Sequence, residues 1–401
     1  MTVTGSRSGP AGSHRSRPGS PPPTADPTAG RGPAPGRFAG LVGLVAALAG
    51  ALALIALPPA NGERAGEPQV TTIEQAWPDA QRADLPAEVT DGPAYTPVFF
   101  LDARESVGTS PSPDGTQLRL LRRAADGTIR ELRRLPIAGT PQYGGFTLSG
   151  DEFAWAESTA DERGQGRTEL WATNLRSDQP ARRLTADTGD VVFFNSQYDM
   201  VIDKGRLHWA SVAPGTEPAT ELRSVALAGG PVAVRTEPGA WAMSAAPWLV
   251  SAGSGESGPV QLRNLEARKI IDVDAAGTEL VTCSPVWCRV LVLSGSGPGL
   301  IELMRPDGSD RRRVADGAAT ASVIDVAILD RFEVLSLADA QRTATGNQQL
   351  LLYDLDSRRT VVVAEGVGMV LCRGGVLWWS TGASDTTGWH TLDLRNLGNL
   401  R

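Results

Sequence analysis

The chain has 401 residues, 41% of them hydrophobic, and a formal net charge of −7. That length exceeds what one small core needs, and the acidic balance argues against nucleic acid as a partner of the whole molecule. Its 45 Gly and 29 Pro punctuate many short apolar runs, which favours all-β over helical architecture.

Residues 1–36 are rich in Gly, Pro, Ser and Thr. Such a segment buries too little apolar surface to offset its chain entropy, so it is expected to be a disordered tail. Through Arg37 it carries Arg7, Arg15, Arg17, Arg31 and Arg37 against Asp26 alone. The uncharged run Phe38 to Leu57 follows, and its length matches a bilayer core of roughly 30 Å at about 1.5 Å per residue. A transmembrane helix is predicted over 37–58, with Pro58-Pro59 ending it. The positive flank predicts a cytoplasmic N-terminus. A cleaved signal is the competing reading, but its apolar region is shorter, and Ala56-Leu57-Pro58-Pro59-Ala60 is a poor cleavage site. Either way the rest of the chain is expected outside the cytoplasm.

Residues 59–92 read as a lead-in, in which Val70 to Trp77 is the best candidate for a strand that closes a ring. Over 93–401 one pattern recurs at intervals of roughly 40 to 50 residues, the length of a four-stranded propeller blade. An inner strand and short turn lead to an apolar second strand, and a third follows. The second strands are assigned to Val98–Leu101, Phe153–Trp155, Leu207–Trp209, Trp248–Val250, Arg289–Leu291, Phe332–Val334 and Val376–Trp378. Asp126-Gly127, Lys204-Gly205, Asp307-Gly308 and Gly374-Gly375 supply hairpin turns. The predicted fold is an all-β propeller of seven four-stranded blades, with six and eight as the alternatives. Arg pairs such as Arg122-Arg123 and Arg182-Arg183 read as solvated strand faces.

The strand-turn-strand units 170–185 and 301–314, with the Ser112-Pro113-Asp114-Gly115 turn, resemble the TolB-like propeller repeat, a relative of the WD-type repeat. The layout resembles membrane-anchored actinobacterial envelope proteins of that type. The resemblance implies a scaffold that engages proteins or envelope components, and it carries over no catalytic residues. The preceding α/β domain of TolB proper is missing from the sequence.

Few residues suggest chemistry. Cys283 and Cys288 flank a tight turn and suit a disulfide in an oxidising compartment; Cys372 lies on an apolar strand and reads as a buried thiol. His14, His208 and His390 have no Cys or His at metal-ligand spacing, so no metal site and no cofactor is predicted. Gly253 to Gly258 fits G-x-G-x-x-G, but a strand rather than a helix follows, so it reads as a hairpin loop. The pairs Asp272/Asp274 and Asp354/Asp356 read as solvated faces.

Two loops are richer than packing requires. Asn195, Gln197, Tyr198 and Asp199 lie in one; Trp241 ends the other, and Trp287 sits in the cysteine turn. Aromatic groups beside amides and carboxylates suit recognition of a polar ligand or peptide, and these six are the candidate binding residues. The sequence-based expectation is a single-pass, extracytoplasmic, non-catalytic scaffold for a protein or cell-envelope partner. A hydrolase or lyase with its site in the propeller channel is the alternative.

Overall fold

A computed structural model describes residues 71–398 apart from 93, 162, 253–259, 295–296, 339–347 and 383–386. The predicted tail and membrane helix, and the Gly253 to Gly258 loop, lie outside the described residues. Among the described residues no helix is long and apolar enough to cross a membrane.

The chain is a succession of antiparallel meanders, in which most strands pair with the next in sequence. The first sheet spans 96–136, the second 142–185, the third 190–238, the fourth 241–273 and the fifth 279–316. The last is eight-stranded. Its long strand Arg359–Arg373 pairs at one end with Gln348–Asp354 and at the other with Val376–Thr381, so it links two four-stranded ladders. The fold is an all-β propeller. Six of the seven second strands fall where the repeat puts them. The exception is Val98–Leu101, most of which belongs to the innermost strand Thr96–Phe100. Ser106–Pro111 takes the second position, because Gly108 lets Tyr95 lie against the backbone, where a Cβ would meet its ring at 2.4 Å.

The closing strand also differs from expectation. Arg82–Pro86 pairs antiparallel with Gly388–Asp393, burying Leu85 beside Phe100, Trp378 and Trp389. Of the candidate Val70 to Trp77, residues 71–77 are described, and among them only Thr71–Thr72 pairs, in parallel with Val361 and Val362. Ile73–Ala76 turns helical because Thr72 and Gln75 form a capping box, which satisfies two orphan donors at once. Ile73, Ala76 and Trp77 then enter the core between the two ladders of the eight-stranded sheet. The Trp77 indole donates to the Gly398 carbonyl at 2.8 Å, tying the two ends of the domain together.

The arginine pairs are not solvated faces throughout. Alternation along a strand sends one member outward and the other toward the next sheet. Arg122 donates to the Leu175 carbonyl at 2.6 Å, Arg182 to Leu227 at 2.8 Å, Arg312 to Leu355 at 3.1 Å and Arg331 to Leu397 at 2.9 Å. The first three cross from one ladder to the leucine that follows the third strand of its neighbour, and Arg331 reaches Leu397, beyond the short helix Leu394–Asn396 that follows Gly388–Asp393; these are charge-assisted contacts repeated around the ring.

Candidate functional site

In the third sheet two short strands, Asp190–Val191 and Met200–Asp203, share the innermost position, both pairing with Arg206–Val212. The residues between them leave the sheet and reach the far side of the ring. The departure is seated by Phe193, which packs on Gly145, where φ is +56° and a Cβ would meet the ring at 3.0 Å. Asn195 takes φ +63°, a left-handed conformation that Asn tolerates. Asp199 accepts from the Phe194 amide at 2.9 Å and closes the loop on itself.

The loop docks on two distant segments. Asp325 accepts from the Ser196 hydroxyl at 2.6 Å and from the Gln197 amide at 3.0 Å. Arg373 donates to the Ser196 carbonyl at 3.2 Å, and the Gly374 amide donates to the Gln197 side chain at 3.1 Å. The Asp325 segment is held in turn by a buried pair, Arg289 with Glu333. Arg289 also donates to the Asp325 carbonyl at 2.8 Å, and Glu333 accepts from the Ala327 amide at 2.9 Å. Ala327, Leu329 and Asp330 all have positive φ. Non-glycine residues bear that conformation only where the surroundings over-determine it, and functional sites concentrate such strain.

The electrostatics follow from burial. Loss of solvent pushes the Asp199 carboxyl up to about 6 and raises Asp325 as well. It pushes the Tyr198 phenol up to about 12 and lowers the Arg373 guanidinium. Beside this cluster lies a cavity of about 330 Å³, walled by Met243, Val250, Leu280 and Ile324, with Ser196, Tyr198 and Asp325 on its lining. On the apolar cavity the Asp325 carboxyl, raised by burial, holds its proton more readily than an exposed aspartate, beside a buried guanidinium.

Of the six residues singled out from sequence, Asn195, Gln197, Tyr198 and Asp199 are brought together here. Trp241 and Trp287 are placed elsewhere. The Trp241 indole donates to the Pro238 carbonyl at 2.7 Å. Trp287 packs between the fifth sheet and the next, its indole donating to the Asp330 carbonyl at 3.1 Å with Arg305 over its ring. Cys283 and Cys288 are paired across the hairpin and form a disulfide. Asp354 is not solvated: it is buried and bidentate to Arg331 at 2.9 and 3.1 Å. Sequence reasoning missed Asp325, Arg373 and the Arg289–Glu333 pair. The available signal was an acid inside the apolar run Val323 to Ile328, and an arginine ending the apolar strand before Gly374-Gly375.

No protein-family model and no curated protein matches the chain. Solved structures do resemble it. The β-propeller domain of the trilobed protease from Pyrococcus furiosus is 11% identical, with 65% of this chain and 84% of that one covered and a TM-score of 0.43. An oligogalacturonate lyase in complex with manganese is 13% identical over 79% and 99% at 0.46. A puromycin-hydrolyzing peptidase of Mycobacterium tuberculosis is 12% identical over 82% and 55% at 0.49. The chain thus spans about half the length of that peptidase. At these identities the likeness concerns the fold. The expectation of a non-catalytic scaffold without enzymatic activity differs from what these structures are: they are mostly hydrolases, with a lyase among them.

Proposed function

We propose that the protein is a hydrolase or lyase whose site is the channel cavity, with Asp325 as the group that moves the proton. The observation that carries the reading is the meeting of Asp325 with Ser196 and Tyr198 on the cavity lining, backed by Arg373. Both reaction classes can use a base that takes a proton, from water in direct hydrolysis or from carbon in elimination. Asp325 suits that task because burial raises its carboxyl. Arg373, fixed through the Ser196 carbonyl, supplies positive charge for an anion that develops in the cavity. Ser196 and Gln197 orient the carboxylate.

Two coarser readings accompany it. A count of seven blades is supported by the two ladders that share Arg359–Arg373 and by the closing pairing of Arg82–Pro86. Anchoring by residues 37–58, with the propeller outside the cytoplasm, is supported by the uncharged run and its positive flank. TolB-like kinship rests on the repeat motifs alone.

The test is turnover of a panel of peptides and uronate oligosaccharides, with Leu280→Trp as an obstruction of the cavity from its exposed edge. Turnover that the obstruction lowers at least about tenfold, without loss of folded protein, supports the reading. Turnover of no panel member, or turnover indifferent to the obstruction, contradicts it.

A further inference from the structure

Successive ladders of the ring pack through apolar clusters, with one exception. First and second sheets meet at Phe99 and Phe153, second and third at Ala154 and Trp209, fourth and fifth at Leu262 and Val290. Fifth and eight-stranded sheets meet at Ile301 and Leu335, the two ladders of the last sheet at Phe332 and Leu377, and the ring closes at Phe100 and Trp378. Among the described residues no such cluster joins the third sheet to the fourth. A cleft of about 330 Å³ lies there instead.

Its walls come from both sheets. His208, Leu222 and Val234 line one side, Trp248 and Leu265 the other. His208 pairs with Val201 and Ser224 across the sheet, while its neighbour Trp209 is buried against the second sheet, so alternation turns His208 toward the cleft. Leu265 is the counterpart of the leucines whose carbonyls the arginines grip elsewhere in the ring. Val234 is 47% exposed, although its position faces what would be a core.

We propose that this cleft is a binding site for a small uncharged aromatic molecule of one or two rings, stacked on Trp248 and Leu222 and hydrogen bonded at His208. The volume lies at the lower end of small-molecule sites, which are mostly apolar with few polar groups. At the mouth Lys204 is shared between Glu266 and Asp203, and Arg235 pairs with Glu237. One ammonium against two carboxylates disfavours an anionic ligand, and the apolar walls Leu222, Val234 and Trp248 favour an uncharged one. Burial lowers the His208 pKa, so the ring is neutral at pH 7 and offers one donor and one acceptor. A phenol or an indole N–H meets that requirement. The site shares Met243 with the channel cavity but does not rest on the reading given for it.

The experiment is equilibrium binding of 2-naphthol and of naphthalene to the full chain. Saturable binding is expected, at least about fivefold tighter for 2-naphthol. His208→Phe should bring the two probes within about twofold of each other. Leu222→Trp fills the cleft and should abolish binding of both while the unfolding temperature holds or rises. Val234→Trp, at the exposed rim, does the same without altering a half-buried position. Absence of saturable binding, or binding that both tryptophan variants leave intact, overturns the proposal. Self-association that Leu222→Trp abolishes, without probe binding, assigns the cleft to a second copy and overturns it too.

Discussion

Ser196 donates to Asp325 across the ring at 2.6 Å, although 129 positions separate them in the chain. Neither residue belongs to a strand. The contact is therefore tertiary: it depends on how the third, fourth and fifth sheets bring the loop and the 322–331 segment together, not on any one strand pairing.

The closing strand gives the first expectation. Deleting residues 71–86 removes the Arg82–Pro86 ladder and the buried side chains Ile73, Trp77 and Leu85. At roughly 1.5 to 3 kcal/mol for each such side chain, the loss is on the order of 5 kcal/mol. Thermal unfolding of the truncated chain should move down by about 5 °C or more. An unchanged midpoint would show that closure does not depend on this strand.

Asp199 gives stability a pH dependence. Its folded pKa, about 6, lies above the ordinary value of 3.8. The folded form therefore keeps the proton that the unfolded form releases. The contribution is fully present below about pH 4 and is lost as pH rises through about 6. The difference corresponds to something on the order of 2 to 3 kcal/mol, and Asp325 shifts in the same direction. Asp199→Asn retains an acceptor for the Phe194 amide and carries no charge. It should be more stable than the parent in urea unfolding at pH 7 and equal to it near pH 4. A variant less stable at pH 7 would mean that the carboxylate is favoured in the fold.

The pair Arg289 and Glu333 is buried, with Glu333 at 0% exposure. Removing one partner leaves an uncompensated charge inside, at about 3 to 5 kcal/mol. Glu333→Ala should cost that much in chemical denaturation. Glu333→Leu combined with Arg289→Met should recover most of it, because a well-packed apolar pair replaces buried charge at little net loss. A double variant no better than the single one would show that hydrogen bonds to Ala327 and Asp325 dominate instead.

Much of the fold was legible because its signals are local. Alternating apolar residues at Phe153 and Trp155, and turns such as Asp307-Gly308, mark strands and hairpins from within a few residues. The closing strand was not legible. Arg82–Pro86 carries only Ala83 and Leu85 as apolar residues, and its partner Gly388–Asp393 lies at the other end of the chain. Half of the candidate cluster could be read from the polar and aromatic density of 193–199. Asp325 and Arg373 could not be joined to it, since an acid and a base far apart in sequence carry no mark of meeting in space. Trp287 stands apart for another reason: its turn is conspicuous, and its indole lies at the junction with the next sheet.

The central claim is that Asp325 moves a proton for a reaction in the channel. The most direct measurement is kcat of Asp325→Asn on the best substrate of the panel, beside its unfolding temperature. The amide oxygen can accept from the Gln197 N–H while its NH2 donates to the Ser196 hydroxyl oxygen, so the loop should stay docked and the unfolding temperature within about 3 °C. Turnover should fall by at least about a hundredfold, the usual worth of a positioned acid or base. A folded Asp325→Asn that turns over substrate at the parent rate would contradict the account.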